Sequence, residues 1–294
     1  MRFTKMHGAG NDFVVLDAVE QPLGIAPEDL PGLVSRLCDR HTGVGADGVM
    51  VLQASATGAD VAMRFYNSDG SLGEMCGNGA RCVCRYACER GYADDTVRVE
   101  TTAGLVTGWR QSRDRFRIRL NTPTVLETER VLNLDGETYC CGYAELGNPG
   151  IPHLTVEIPD LLLRIDDEEA LGALRMLGRK LRYHPALPKG ANVNFYQVTG
   201  PQHLRQLTYE RGVEDFTLAC GTGAGSLAAV LTASGRMDGA NVQVQTAGGD
   251  LDVEVEMEAG RVENLYLTGA ALIVYSGELA EEFLQPVVIE NIMD

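Results

Sequence analysis

Two cysteines in the sequence each stand directly before a glycine-rich turn. Cys76 opens the stretch CGNGARC (76–82) and Cys220 opens CGTGAGS (220–226). A glycine-rich turn of this kind predicts the start of a helix, where free N–H groups and the positive end of the helix dipole stabilise a thiolate. We therefore expect each thiol to have a lowered pKa and to act as an acid or a base near neutral pH.

Two helix starts also suit a carboxylate. Their free N–H groups bind anions, and two facing helix N-termini would hold one carboxylate from both sides. A thiolate on one face of the adjoining carbon can remove its α-proton while a thiol on the other face supplies a proton, which inverts the centre. The helix ends then stabilise the negative charge that develops on the carboxylate. The cysteine pair thus predicts inversion of an α-carbon.

Pyridoxal phosphate would offer another route to the same proton, but that route needs a Schiff-base lysine. The chain contains Lys5, Lys180 and Lys189, and none of them lies in a persuasive context. The cysteine spacings give no zinc pattern either. We therefore expect chemistry without a cofactor or a metal.

An internal repeat places the two cysteines in equivalent positions. The segments VRVETTAGLV (97–106) and VQVQTAGGDLDV (242–253) follow the first and second cysteine, and the positions 76 and 220, like 103 and 247, differ by 144. A weaker likeness joins GAGNDFVVLD (8–17) to GANVNFYQV (190–198). The repeat predicts two similar halves, and it argues against both cysteines being ordinary core residues.

The elements that must position the cysteines follow from hydrophobic periodicity. Alternating segments such as RFRIRL (115–120) and LDVEVEME (251–258) predict strands. The segments GARCVCRYACERG (79–91) and SLAAVLTASGRM (226–237) are apolar on most sides, which predicts helices enclosed by sheet. Breakers at 121–124, NTPT, predict the boundary between the halves. The expected fold is α/β (α+β), with two pseudo-symmetric domains that each wrap a mixed or antiparallel sheet around a central helix.

Composition narrows the class of protein. The 294 residues are 45% apolar and 22% charged, which is ordinary for a globular chain with a well-buried core. A net charge of −16 works against nucleic-acid binding, because that binding needs clustered cations. No apolar stretch approaches membrane-spanning length, and the N-terminus lacks a signal-peptide core. We therefore expect a cytoplasmic protein with its eight cysteines reduced, a small-molecule partner, and neither nucleic acid nor membrane as a partner.

Several stretches together resemble the diaminopimelate epimerase family over almost the full length. They are MHGAGNDF (6–13), RHTGVGADG (40–48), RFYNSDGSLGEMCGNGARC (64–82), NVNF (192–195) and YERGVEDFTLACGTGAG (209–225). The resemblance implies a cofactor-independent isomerase that converts LL-diaminopimelate to meso-diaminopimelate, a lysine and peptidoglycan precursor, with Cys76 and Cys220 as the acid and base. It also implies that the last strand, within 269–277, returns to the first domain. We expect a first domain of residues 1–122 plus 268–294, a second domain of residues 123–267, and a homodimer.

The resemblance also implies roles for the residues around the cysteines. The backbone at four positions would hold the carboxylate of the reacting centre: Gly77, Asn78, Gly221 and Thr222. Five side chains match positions that bind the distal amino and carboxylate groups: Asn11, Asn67, Asn192, Glu210 and Arg211. An arginine fork and amide N–H groups suit a carboxylate, and a glutamate suits an ammonium. His153, with Glu210, would tune proton transfer.

One segment departs from the family pattern and leaves alternatives open. GNPGIPH (147–153) is three residues longer than the usual Gly-Asn-Pro-His, so the family asparagine falls on Asn148 or on Ile151, depending on the end from which the segment is aligned. A racemase for another amino acid, such as histidine, therefore remains an alternative. A dehydratase related to proline racemase would replace one cysteine by Ser or Thr. A redox or metal-binding thiol protein would show Cys-x-x-Cys or His/Cys clusters.

Overall fold

The computed structural model describes residues 1–73 and 76–285. The first part of the chain forms ten elements: β1 (Arg2–Gly8), β2 (Asn11–Ala18), α1 (Leu30–Cys38), β3 (Gly48–Gln53), β4 (Val61–Asn67), β5 (Leu72–Gly73), α2 (Gly77–Arg90), β6 (Thr96–Thr101), β7 (Gly104–Arg110) and β8 (Arg115–Leu120). The rest forms β9 (Pro123–Leu134), β10 (Glu137–Leu146), β11 (Ile151–Glu157), α3 (Leu161–Ile165), α4 (Glu168–Arg182), β12 (Asn192–Gly200), β13 (His203–Tyr209), β14 (Phe216–Thr217), α5 (Gly221–Ala233), β15 (Val242–Thr246), β16 (Gly249–Glu258), β17 (Arg261–Ala270), β18 (Leu272–Glu278) and α6 (Glu281–Leu284).

Strand pairing follows the same order in the two halves. In the first, β1–β2 is antiparallel, β2–β3 parallel, β3–β4 antiparallel and β4–β6 parallel, and β6, β7 and β8 continue as an antiparallel meander. The strands β10 to β17 repeat this order of parallel and antiparallel pairs, with β13–β15 equivalent to β4–β6. The predicted α+β fold with pseudo-symmetric halves is confirmed.

The two halves are joined through strands that are distant in sequence. β8 pairs antiparallel with β17, with Leu120 opposite Leu265, and β18 returns to pair antiparallel with β1. The short connection between β8 and β9 spans 121–122, inside the predicted linker. The domain boundaries at 122/123 and 267/268 stay a prediction.

The two helices that follow the cysteines lie inside the molecule. Every residue of α2 from Gly77 to Ala87 is buried, and α5 is buried from Gly223 to Leu231. Both helices contribute to one apolar cluster that also contains inward-facing residues of β6, β8, β15, β16 and β17. The prediction of enclosed helices is confirmed. α5 ends at Ala233, earlier than the segment 226–237, and Gly235 just beyond it has a left-handed φ of 72°.

Two further helices cover the outer faces of the sheets. Leu33 and Leu37 of α1 are buried in a cluster with β2 and β3, and Leu174 and Leu181 of α4 are buried in a cluster with β11, β12 and β13. Each buried leucine contributes about 1.5–3 kcal/mol relative to exposure. The strands around the cysteines are thus held in place by packing on their outer faces. Within 1–73 and 76–285, no helix combines the length and the apolar character needed to cross a membrane.

Candidate active site

Cys76 and Cys220 occupy equivalent positions, each as the residue that caps the N-terminus of a buried helix. Their backbone angles are alike, with φ −129° and ψ 117° at Cys76 and φ −117° and ψ 106° at Cys220. Each carbonyl accepts the first helical hydrogen bond, from Ala80 N at 2.8 Å and from Ala224 N at 2.9 Å. The repeated sequence therefore produces the same local geometry twice.

The N-termini of α2 and α5 adjoin each other. Asn78 Nδ2 donates a hydrogen bond to the carbonyl of Ala219, the residue before Cys220, at 3.3 Å. A Cβ built on Gly221 would lie 3.6 Å from Asn78 Oδ1 and 2.7 Å from a methyl group of Leu267. A side chain at 221 would therefore displace Leu267 of β17, whereas Asn78 of the first helix lies at ordinary van der Waals distance.

The turn between β1 and β2 brings Asn11 to the first cysteine. Ala9 and Gly10 have φ values of 51° and 80°, which suit a two-residue hairpin turn. Cys76 Sγ donates to Asn11 Oδ1 at 3.5 Å, and Asn78 Nδ2 lies 3.4 Å from the same oxygen. The structure thus brings three of the predicted site residues together.

Asn11 is itself held by a charged network that the sequence analysis did not assign. Asn11 Nδ2 donates to Asp47 Oδ2 at 2.6 Å, and Arg40 bridges Asp47 and Asp12 at 2.8 Å each. Lys5 completes the network with an ion pair to Asp12 at 2.7 Å. Burial disfavours the charge on Asp12, but the hydrogen bonds from Arg40 and Lys5 prevail and lower its pKa to about 2. The matched stretch that contains Arg40 and Asp47 was the available signal for this network.

The thiols do not have the lowered pKa values that we expected from their positions. Burial raises the pKa of Cys76 to about 11 and that of Cys220 to about 12, and the charge of Glu210 acts in the same direction on both. Backbone amides at the helix starts, those of Gly79 and Gly223, favour the thiolates but are outweighed. The expectation of lowered pKa values is therefore wrong for the free protein, because burial is the larger effect.

Glu210 lies close enough to both cysteines for its charge to act on each. Its side chain is half-buried, and burial raises the pKa of this carboxyl group, although Thr217 Oγ1 donates to Glu210 Oε2 at 2.9 Å. Thr222, in the first turn of α5, places its hydroxyl oxygen 3.6 Å from Cys220 Sγ. A carboxylate and two thiols thus share one site.

A second group of predicted residues lies at the adjacent ends of β11 and β12. His153 and Asn192 are opposite each other in the parallel β11–β12 pair, and Asn192 Oδ1 accepts a hydrogen bond from Arg211 N at 2.8 Å. His153 is fully buried, and burial together with the charge of Arg211 lowers its pKa to about 3. Its ring is therefore neutral at physiological pH, with Nδ1 3.3 Å from Asn194 Nδ2. The guanidinium of Arg211 is exposed, and its Nη1 donates to Lys189 O at 3.3 Å.

Asn67 stands apart from these contacts. It is exposed at the end of β4, and its Nδ2 donates to Ser71 Oγ at 3.0 Å. A cavity of about 250 Å³ lies beside Thr222, and the open alternatives Asn148 and Ile151 both line it. Among 1–73 and 76–285, no group of three or more His, Cys, Asp or Glu residues could hold a metal ion.

Most of the sequence matches known proteins. The profile of the family described as "Diaminopimelate epimerase" matches residues 3–124 and 147–274. The proteins named diaminopimelate epimerase of Aquifex aeolicus and Archaeoglobus fulgidus are 38% and 39% identical to this chain, covering 97% and 94% of it and 100% and 95% of their own lengths.

Solved structures with much lower identity share the fold. A probable proline racemase from Agrobacterium radiobacter K84 has a TM-score of 0.69 at 20% identity, covering 95% of this chain and 93% of its own. A phenazine biosynthesis protein of the PhzF family from Bacillus anthracis also has a TM-score of 0.69, at 15% identity, covering 95% of this chain and 99% of its own. Because the family profile and the close relatives extend over nearly the full length, the chain belongs to the diaminopimelate epimerase family and is an isomerase of the epimerase class.

Proposed function

We propose that the protein interconverts LL- and meso-diaminopimelate by proton transfer between its own thiols, in the synthesis of lysine. The observation that carries this proposal is the pair of cysteines that cap two adjoining buried helices with nearly the same backbone geometry. Inversion of an α-carbon needs an acid and a base on opposite faces, and the repeated fold supplies one chemical group of each kind. We infer that the substrate is diaminopimelate from the relatives named diaminopimelate epimerase.

In the proposed reaction the substrate's α-carboxylate binds at the two helix starts. Backbone N–H groups of Gly77, Asn78, Gly221 and Thr222 stabilise it and the charge that develops there. One cysteine, as thiolate, takes the α-proton, and the electron pair left on the carbon delocalises into the carboxylate. The other cysteine, as thiol, gives its proton to the opposite face. The two cysteines have then exchanged protonation states, and they exchange again in the reverse reaction.

The raised pKa values require ionisation of a thiol to accompany substrate binding. Because burial keeps both cysteines protonated in the free protein, one of them must lose a proton before it can act as a base. Glu210, whose charge acts on both and whose own pKa is raised, is the proposed acceptor. The substrate's α-ammonium, bound beside the thiols, then favours the thiolate. The neutral ring of His153 is proposed to donate a hydrogen bond rather than to carry charge.

Arg211, Asn192, Asn11 and Asn67 are the proposed contacts for the rest of the substrate. Arg211 has an exposed guanidinium, while its backbone is fixed by Asn192. An arginine fork in this position suits the distal carboxylate of diaminopimelate. Asn11, already anchored by Asp47, and Asn67, at the end of β4, would contribute amide groups.

Incubation of protein freed of metal and pyridoxal phosphate with LL-diaminopimelate tests the proposal directly. We expect meso-diaminopimelate to form until the two stereoisomers reach equilibrium, as measured by chiral chromatography. L-histidine should be tested in parallel. Asn148 and Ile151 both line the cavity beside Thr222, in the segment that departs from the family pattern, so the side chain of the substrate is the part whose recognition could differ. Racemisation of histidine, with no conversion of diaminopimelate, would contradict the proposal and support the alternative racemase function.

A homodimer and a reducing compartment complete the proposal. Ile273, Val274 and Tyr275 expose apolar side chains along β18, whose described pairing is to β1 alone. A second copy of this chain covering these residues would remove apolar surface from water. Light scattering should therefore give a mass near twice 31.7 kDa.

The proposed chemistry also needs Cys76 and Cys220 as free thiols, which suits the reducing environment of the cytoplasm.

A further inference from the structure

Arg81 is an arginine buried completely beside the reacting centre. Its exposed fraction is 0%, whereas arginine side chains are almost never fully buried unless they are paired. It follows Asn78 by one turn of α2, and its Nη2 donates to Asn78 Oδ1 at 2.8 Å. Arg81 therefore contacts the residue that links the two helix starts.

Glycines in neighbouring strands leave the space that the guanidinium occupies. A Cβ on Gly269 of β17 would lie 3.2 Å from Arg81 Cζ and Nε, and one on Gly8 of β1 would lie 3.4 Å from Arg81 Nη2. Both distances are at or below ordinary van der Waals contact, so a side chain at either position would press against the guanidinium. The backbones of β1 and β17 thus enclose the group.

The charge of Arg81 has no carboxylate partner among residues 1–73 and 76–285. Its Nε and Nη1 have no hydrogen-bond partner there, and the ionisable groups that act on it are the thiols of Cys76, Cys82 and Cys84 and the cation Arg115. Burial lowers its pKa to about 10, which still leaves it protonated at neutral pH. A buried cation is costly unless a negative charge balances it, and the reaction supplies two such charges.

The hydrogen bond from Arg81 also fixes the orientation of the Asn78 amide. Because Asn78 Oδ1 accepts from Arg81, the amide nitrogen must point the other way, toward Asn11 Oδ1 and the carbonyl of Ala219. Asn11 in turn accepts from Cys76. One guanidinium therefore orients an amide that bonds to Asn11, the acceptor for Cys76, and to the backbone just before Cys220.

We propose that Arg81 is a positioning residue for the epimerisation proposed above: its positive charge favours the Cys76 thiolate and the substrate's α-carboxylate, and its hydrogen bond orients the Asn78 amide toward Asn11 and Ala219. The groups that face Cys76 have opposing effects. Glu210 disfavours the thiolate, Arg81 favours it, and Cys82 and Cys220 are neutral thiols at physiological pH. Loss of Arg81 and loss of Glu210 should therefore change the ionisation of Cys76 in opposite directions.

Alkylation of individual cysteines in the free protein tests this proposal. The rate of Cys76 modification by iodoacetamide is measured at pH 8 to 9.5 by mass spectrometry of its peptide, with no substrate present. We expect Arg81→Met to slow Cys76 alkylation about tenfold, which corresponds to a pKa rise of about one unit, and Glu210→Gln to accelerate it. Arg85→Met is the matched control, because Arg85 is also buried in α2 but donates to the carbonyl of Ala271 at 2.6 Å.

Arg81→Lys separates the charge from the hydrogen bond. Cys76 of this variant should be alkylated at a rate close to that of the unsubstituted protein. Its kcat should fall, because an ammonium cannot hold Asn78 with the same geometry. A folded Arg81→Met protein whose Cys76 reacts as fast as in Arg85→Met would overturn the proposal. If Arg81→Met does not fold, the Arg81→Lys protein provides the test. Alkylation of Cys76 about ten times slower in that variant, which keeps the charge, would contradict the role of the charge. Absence of epimerase activity in the unsubstituted protein would refute the proposed function and leave the alkylation result unchanged.

Discussion

At the scale of single residues, the two cysteines share a backbone geometry but have different neighbours. Cys76 is half-buried and donates to Asn11, whereas Cys220 is buried and lies beside the hydroxyl of Thr222. A two-base reaction uses both thiols in each direction, so this difference does not make either of them dispensable.

Replacing Cys76 or Cys220 by alanine should lower kcat/KM for diaminopimelate by about 10²–10⁴-fold, the usual effect of losing an acid or base. The double variant should lose little more than either single variant, because neither thiol works alone. Steady-state kinetics on the three proteins measure this. Cys140→Ala is the control, since Cys140 is exposed on β10 and should leave activity unchanged. Substantial turnover by Cys76→Ala would contradict the assignment.

Arg211→Lys should raise KM by about tenfold or more, although the charge is kept. An ammonium cannot form the two parallel hydrogen bonds of a guanidinium, and a hydrogen bond to a charged group is worth roughly 1.5–3 kcal/mol. Arg205→Lys serves as the control, because Arg205 lies on β13, upstream of Arg211, and donates to Gln245 instead. An unchanged KM and kcat would remove Arg211 from the site.

At the scale of elements, the site depends on turns that bring separate strands to the helix starts. The turn between β15 and β16 meets the turn between β1 and β2 so closely that a Cβ on Gly248 would collide with the carbonyl of Ala9. Gly248 N also donates to Leu218 O at 2.8 Å, just before the second cysteine. Glycine at 248 therefore keeps Asn11 and the start of α5 in place together.

Gly248→Ala should lower both activity and thermal stability, because the added methyl group must displace the turn that carries Asn11. Overpacking of this kind costs typically 1–3 kcal/mol. Gly172→Ala, in α4 with nothing within 4 Å of the added Cβ, should leave activity unchanged and stabilise the protein slightly. Thermal unfolding and kinetics on both variants test this, and a fully active, equally stable Gly248→Ala would show that the contact does not hold the turn.

Local patterns were sufficient to predict the elements but not their surroundings. The alternating segment at 115–120 became β8, and the glycine-rich stretches became the starts of α2 and α5, because these features depend on neighbours in sequence. The pairing of β8 with β17 and the support of Asn11 by Asp47 join distant segments, so no local period reveals them. The thiol pKa values were mispredicted for the same reason, since burial is a property of the folded molecule.

At the scale of the whole molecule, buried ionisable groups set the pH range of stability. The pKa of His153 is lowered from 6.5 to about 3 in the folded state, so between these values the unfolded chain binds a proton that the folded chain does not. Its contribution to stability is therefore present above about pH 6.5 and is lost as the pH falls toward 3. The buried thiols act at the alkaline end. Their pKa values are raised from 9.0, so above about pH 9 the unfolded chain loses protons that the folded chain keeps, and stability falls as the pH rises.

His153→Gln should weaken the loss of stability on acidification. One proton taken up on unfolding changes the free energy of unfolding by about 1.4 kcal/mol per pH unit, and the variant should lack this slope between pH 6 and 4. Urea unfolding at several pH values measures it. His203→Gln, at an exposed position, should keep the slope of the unsubstituted protein. Identical slopes in both variants would show that His153 does not remain neutral in the folded state.

The most direct test of the two-base mechanism follows deuterium during early turnover in D₂O. If Cys76 and Cys220 stand on opposite faces of the α-carbon, the cysteine that protonates the product carries a solvent-derived deuteron, while the cysteine that abstracts holds the substrate's own proton. Mass spectrometry of the separated stereoisomers should therefore show deuterium in newly formed product while recovered substrate stays unlabelled, whether the reaction starts from LL- or from meso-diaminopimelate. Equal early labelling of substrate and product would mean that a single base serves both faces, and it would contradict the assignment of the two cysteines.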